Sequence, residues 1–257
     1  MKKWAEGSTL PPDFCAMNTL YIKNLYVRSG EELEPYLLHI PAVQQLLRED
    51  LSIDSPVTIL VGENGSGKTT LLEAVAVASG FQAEGGSRFF NRSQSKPASN
   101  LHENLVVARG KRPADGYFLK AENYFQTISY VDETEAWDSY GGQSLHHRSH
   151  GEGFLDLVQN RFSGHGLYLL DEPEAALSPM RLLTLMVEIS RLVELHSQFI
   201  LATHSPILMA YPGAQVLQLD EEGIHRMDYR QTEHYQVTKM FLENPELMLH
   251  HLLDTSR

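Results

Sequence analysis

The chain has 257 residues and is acidic, with 21 Lys and Arg against 33 Asp and Glu and a formal net charge of −12. Hydrophobic residues at 42% and charged residues at 21% describe a soluble globular chain able to bury a core, and no apolar run approaches the ~20 residues of a membrane-spanning helix. The charge balance disfavours wholesale coating of a phosphate backbone, and a single cysteine, Cys15, excludes an internal disulfide and a cysteine-based zinc site.

Two lysines open the chain without an apolar segment behind them, so no secretion signal is read and a cytoplasmic location is expected. Residues 1–18 read as a loose leader broken by Pro11 and Pro12, ahead of a single domain over 19–257. Tyr21–Val27 alternates like a strand, and residues 31–50 hold a short helix. Val57–Val61 is short, apolar and β-branched, the pattern of a strand buried on both faces; a Gly-rich turn cuts it off, and a helix follows from Lys68 to about Ser79. Residues 80–100 are polar and rich in Gly and Ser, a loop excursion with room for a short edge strand. Gly116–Leu119 is a weak strand. Helical stretches interrupted by Gly141, Gly142 and a His-rich turn predict a helical subdomain at about 123–160.

Leu167–Leu170 and Phe199–Ala202 are short apolar strands flanking a largely buried helix over 180–195, the crossover order of a parallel sheet. Val216–Leu219 and Ile224–Asp228 read as a hairpin, and residues 231–253 as helical, with the leucine-rich Phe241–Leu253 expected to bury against its own domain. The fold class is therefore α/β: a mainly parallel core sheet flanked by helices, with an N-terminal β region and an inserted helical subdomain.

Gly62, Glu63, Asn64, Gly65, Ser66, Gly67, Lys68 and Thr69 match G-x-x-x-x-G-K-[ST] in full, after a buried strand and at the opening of a helix. Small residues let successive backbone N–H groups form a nest for phosphate oxygens, Lys68 reaches the terminal phosphates, and the Thr69 hydroxyl can ligate Mg²⁺. Such a loop needs an acidic partner from another strand. Asp171, at the end of Leu167–Leu170, is placed to hold the metal, and Glu172 to polarise an attacking water as general base. His204 follows strand 199–202, where a neighbouring side chain can reach a γ-phosphate. Ser149, His150, Gly151, Glu152 and Gly153 precede an apolar helix; spacing alone describes a turn and cap as readily as an anion site.

In their order, these motifs resemble an ABC-type ATPase head of the P-loop NTPase class, and more narrowly the small stand-alone bacterial predicted ATPases of the AAA/ABC family. GENGSGKT resembles Walker A, LYLLDE Walker B with its catalytic glutamate, Glu174–Pro179 the D-loop, and His204 the switch histidine. Ser149–Gly153 stands at the signature position, with His150 where Gly is usual and Glu152 where Gln is usual. The resemblance implies ATP and Mg²⁺ as cofactors and Lys68, Glu172 and His204 as catalytic residues. It implies nucleotide contacts from Gly62 through Thr70 and from Ser149, Gly151 and Glu152, with Thr69 and Asp171 at the metal. Glu122 and Gln126 compete for the Q-loop position, and Tyr26 and Tyr36 for the adenine-stacking one.

The resemblance further implies an ATP-dependent head-to-tail homodimer in which the signature of one copy closes on the nucleotide of the other. What that closure moves stays open between a soluble switch acting on an unknown protein or nucleic-acid partner, a nucleotide-binding subunit docked on a membrane protein without inserting itself, and an armless RecF-like DNA-repair ATPase. Only about a hundred residues, without heptads, separate Lys68 from Asp171, which excludes a coiled-coil arm. Arg88, Arg92, Lys96, Arg109, Lys111 and Arg112, with Phe89 and Phe90, form a basic tract that reads as a solvated loop before a DNA surface. His146, His147 and His150 read as a His-rich turn, since no carboxylate or cysteine completes a metal set.

Overall fold

Side chains that alternate between the two faces of five parallel strands build two cores back to back. A computed structural model describes residues 20–87, 96–124 and 150–253. Its strands in chain order are β1 (Ile22–Val27), β2 (Leu51–Ser52), β3 (Val57–Val61), β4 (Gly86–Ser87), β5 (Leu105–Arg109), β6 (Asp115–Lys120), β7 (Gly166–Asp171), β8 (Gln198–Ala202), β9 (Gln215–Asp220) and β10 (Gly223–Arg226). The helices are α1 (Pro41–Leu46), α2 (Lys68–Ala78), α3 (Leu101–Asn104), α4 (His150–Arg161), α5 (Pro179–Glu194), α6 (Pro206–Met209), α7 (Glu233–Glu243) and α8 (Pro245–Leu253).

A seven-stranded sheet runs β10-β9-β3-β8-β7-β6-β4, parallel from β9 to β6 and antiparallel at both edges; β2-β1-β5 form a second, antiparallel sheet. In β7, Tyr168 and Leu170 point into one core while Leu167 and Leu169 point into the other, and β8 divides Phe199 and Leu201 from Ile200 and Ala202 in the same way. On the first face Phe162 stacks on Tyr168 at 4.2 Å between ring centroids, under α4 and α5. On the second face α2 lies between the two sheets, so Leu71, Leu72, Val75 and Ala76 are buried around most of its circumference.

The expected strands at 21–27, 57–61, 116–119, 167–170 and 199–202, the hairpin, and the helices after Gly67 and Ser178 are present. β4 is the short edge strand of the 80–100 excursion, antiparallel on β6. The sequence reading has no counterpart for β2, α3 or β5, the last of which pairs with β1. Residues 231–253 form two helices, broken where Pro245 follows Asn244, since proline supplies no N–H and disfavours helical backbone before it.

Two expectations are overturned: the helix over 180–195 is buried on one face only, with Met180, Leu183 and Val187 exposed, and the C-terminal stretch lies in solvent. The leucine-rich stretch Phe241–Leu253 is not buried: Leu242 is 73% exposed, and Leu247, Leu249, Leu252 and Leu253 also face solvent. α7 and α8 pack against each other, and α7 meets the body through α6 and the turn Tyr229–Gln231 rather than across the sheet. Leucine spacing marks an apolar surface without saying what covers it.

The leader 1–18 with Cys15, the basic and aromatic residues Arg88, Phe89, Phe90 and Arg92, Gln126, His146, His147 and Ser149 lie outside the described residues. So does most of the expected helical subdomain; its end is α4, which buries Phe154, Leu157 and Val158 against the main sheet. Among the described residues, no helix is long and apolar enough to cross a membrane.

Candidate active site

The loop leaving β3 turns by backbone conformations that glycine tolerates: Gly62, Gly65 and Gly67 have φ of +149°, +86° and +96°. At Gly62 a Cβ would overlap the carbonyl oxygen of Leu219, and at Gly67 it would stand 2.8 Å from Ile40 Cγ2. Gly67 is also the N-cap of α2; no side chain caps that end, which leaves first-turn N–H groups open to an anion. Lys68 is buried, and its Nζ donates to the carbonyls of Gly62 and Glu63, both at 2.8 Å. Burial depresses its pKa, against the pull of Glu172, Asp171 and Glu63.

Strand order brings the acidic pair to this loop. β8 separates β3 from β7, which sets their axes ~10 Å apart, and the first turn of α2 bridges the gap. Thr69 Oγ1 donates to Asp171 Oδ1 at 3.2 Å, joining residues 102 positions apart. Burial raises the Asp171 pKa to about 6, opposed by Lys120, its register partner on β6, and by the Thr69 bond. Lys120 is itself held by Glu73 of α2 at 2.8 Å, and Glu73 accepts the Ala98 N–H at 2.7 Å.

Glu172 occupies the left-handed region, φ +47° and ψ +50°, a conformation costing a non-glycine residue ~1 kcal/mol. Its N–H donates to the Ala202 carbonyl at 2.9 Å, which turns the chain off β7 and aims the side chain at the end of β8. There His204 Nε2 stands 3.6 Å from Glu172 Oε1. The His204 N–H donates to Glu174, and its Nδ1 lies 2.8 Å from His234 Nε2. Burial, with Lys68 and His234 nearby, depresses the His204 pKa and favours the neutral imidazole.

Two cavities of about 330 Å³ each meet at Thr69 and Glu172. One is lined by the loop, Lys68, Thr70, Ile40 and Tyr36; the other by Asp171, Ala121 and Glu122. Tyr36, rather than Tyr26, thus borders the cradle, and Glu122 borders the acidic side. Ser66 Oγ in the loop and His204 Nε2 beside Glu172 are buried polar atoms without a hydrogen-bond partner. A nest of amides, a buried cation and orphaned polar atoms fit a polyphosphate. Thr69 and Asp171 fit a Mg²⁺ whose remaining ligands are phosphate oxygens and water.

Gly151 and Glu152 sit elsewhere. Glu152 pairs with Arg181 at 3.0 Å, and a Cβ on Gly151 would meet Arg181 and, at 3.1 Å, the Ala176 carbonyl. Neither residue lines the two cavities. Lys120, Glu73, Ile40 and His234 belong to the neighbourhood of the site and were not singled out by sequence. A lysine directly after the apolar run Gly116–Leu119 was the one available signal; nothing in the spacing marks His234.

Residues 38–136 match the family model of an AAA domain, and residues 144–210 match one described as "AAA domain, putative AbiEii toxin, Type IV TA system". No curated protein matches the chain. Among solved structures, cbiO1 from Clostridium perfringens, part of the ABC transporter complex cbiONQ, is 17% identical over 91% of this chain and 99% of its own, with a TM-score of 0.48. The SMC head domain from Thermotoga maritima is 16% identical over 81% of this chain and 99% of its own, with a TM-score of 0.43. The two AAA-domain matches, the mostly parallel sheet and the cradle after β3 support a P-loop fold of the ABC/AAA ATPase type. That fold is consistent with ATP binding and hydrolysis.

Proposed function

We propose that this chain binds ATP with Mg²⁺ and hydrolyses it to ADP and phosphate. The observation that carries the reading is the meeting of five residues from three strand ends: Lys68 and Thr69 after β3, Asp171 and Glu172 at β7, and His204 after β8. Amides from Gly62 to Thr70 bind the phosphates, and Lys68 Nζ exchanges the Gly62 and Glu63 carbonyls for phosphate oxygens. Thr69 Oγ1 and Asp171 hold the metal, which when bound neutralises charge on the phosphate oxygens. Glu172 accepts the proton of the attacking water, and His204 Nε2–H donates to the terminal phosphate. Tyr36 is our choice for the adenine contact and Glu122 for the Q-loop position.

Glu172 is half-exposed, and the nucleotide cavity is not closed by the chain's own Gly151 and Glu152. This supports completion in trans, with Ser149, Gly151 and Glu152 of a second copy closing on the nucleotide in an ATP-dependent homodimer. Such a dimer would act as a cytoplasmic switch on a protein partner. The test is phosphate release with and without Mg²⁺, alongside light scattering with and without ATP. Mg²⁺-dependent hydrolysis with an ATP-induced dimer is expected; a monomer that hydrolyses at an unchanged rate per chain at all concentrations would overturn the dimer.

A further inference from the structure

His204 is held from two directions, by the turn after β7 and by α7. Its backbone N–H is taken by Glu174, and its ring nitrogen Nδ1 lies 2.8 Å from Nε2 of His234, with ring centroids 4.8 Å apart. His234 is in the first turn of α7. That turn is fixed by its N-cap: Thr232 is fully buried, its Oγ1 accepts the Tyr235 N–H, and the hydroxyl donates to the Tyr229 carbonyl and lies 3.6 Å from Met209 Sδ of α6. α6 begins at Pro206, two residues after His204. The same short stretch thus carries His204 and anchors the helix that supplies its ring partner.

Only one proton fits between two imidazole nitrogens 2.8 Å apart, so one ring donates and the other accepts. If His204 donated from Nδ1, its neutral ring would turn the Nε2 lone pair towards the Glu172 carboxylate, 3.6 Å away, an arrangement of two acceptors. If His234 Nε2–H donates, His204 keeps its proton on Nε2 and faces Glu172 with a donor. The second arrangement is the lower in energy, because it sets an N–H of His204, rather than a lone pair, against the Glu172 carboxylate.

We infer that His234 is a positioning residue for His204: by donating from Nε2 to His204 Nδ1, it fixes the ring and the tautomer that present an Nε2–H to Glu172 and to the terminal phosphate. The inference rests on the hydrolytic reading above. It makes the placement of α7 part of the machinery of a site built otherwise from strand ends of the parallel sheet.

Ring NMR of the nucleotide-free protein reads the tautomer directly. His204 is expected to carry its proton on Nε2 in the wild type and to become a mixture of tautomers in His234→Ala; a wild-type proton on Nδ1, or an unchanged spectrum in the variant, would overturn the inference. In steady-state hydrolysis, His234→Ala should lower kcat about tenfold with KM for ATP unchanged, the size of one lost hydrogen bond to a reacting group. His234→Gln, which keeps a side-chain N–H donor, should recover most of that loss. Because His234 acts through His204, His204→Ala and the double variant His204→Ala/His234→Ala should hydrolyse equally slowly. Losses that multiply in the double variant would overturn the inference. A slow His204→Ala beside a wild-type His234→Ala would overturn it alone, whereas a wild-type rate in His204→Ala would overturn the assignment of His204 as well.

Discussion

Glu172 Oε1 stands 3.6 Å from His204 Nε2, although the two residues end different strands and lie on opposite sides of a helical crossover. The backbone bond from Glu172 N–H to the Ala202 carbonyl, 2.9 Å long, fixes that approach before any side chain acts. A carboxylate oriented by the backbone and half-open to solvent is suited to taking a proton from water. Glu172→Gln should cut phosphate release by about 10²–10⁴-fold while ATP affinity is kept, since the amide conserves shape but loses basicity. Rapid-quench hydrolysis with parallel equilibrium binding of a fluorescent ATP analogue checks this. Light scattering should find the variant retained as the ATP-bound dimer.

Asp171 yields a prediction in which stability and function move apart. Its folded pKa is about 6 against an ordinary 3.8, so the nucleotide-free protein holds the neutral acid better than the carboxylate. A pKa raised on folding contributes stability that is full below the unfolded value and is lost as pH rises through the folded one. Asp171→Asn should therefore raise the Tm of the free protein at pH 8, by an amount corresponding to at most about 3 kcal/mol, and should change it little at pH 4. The same variant should lose Mg²⁺-dependent ATP binding. Thermal unfolding at the two pH values, with and without MgATP, measures both halves.

The glycines of the phosphate loop should rank by what surrounds them. Gly62→Ala meets the Leu219 carbonyl oxygen, a backbone atom that cannot move aside; Gly67→Ala meets Ile40 Cγ2 at 2.8 Å; Gly65→Ala meets open space and suffers only its positive φ. Expected costs run from about 1 kcal/mol for Gly65→Ala upward through Gly67→Ala to Gly62→Ala. Denaturant unfolding of the three variants without nucleotide gives the order, and an equal cost at all three positions would contradict it.

Lys120 and Glu73 form a buried ion pair 2.8 Å long that ties α2 to the end of β6. Lys120→Met should destabilise by about 3–5 kcal/mol, because Glu73 is left charged with only the Ala98 N–H for company. Lys120→Met/Glu73→Leu should recover much of that loss, since no uncompensated charge remains. Chemical denaturation of the single and double variants supplies the comparison.

Local chemistry was enough to make several features legible in the sequence. The three loop positions with positive φ are glycines, Gly62, Gly65 and Gly67, and Lys68 follows them directly. Strands buried on both faces show as short apolar runs such as Val57–Val61, and Asp171 and Glu172 announce themselves by ending one. These constraints act within a few residues, so they leave a local signature. They determined the fold class, the cradle and the acidic pair.

Tertiary structure decided everything that depends on which elements become neighbours. The place of β8 between β3 and β7 brought His204 beside Glu172, and the register of β6 on β7 set Lys120 against Asp171. The docking of α7 supplied His234, and the path of α8 left its leucines in solvent although their spacing had suggested a core. Each of these is a contact between segments whose separation along the chain carries no information about their separation in space. Burial energy depends on the total apolar area covered, so it leaves no mark of its partner in the sequence of either segment.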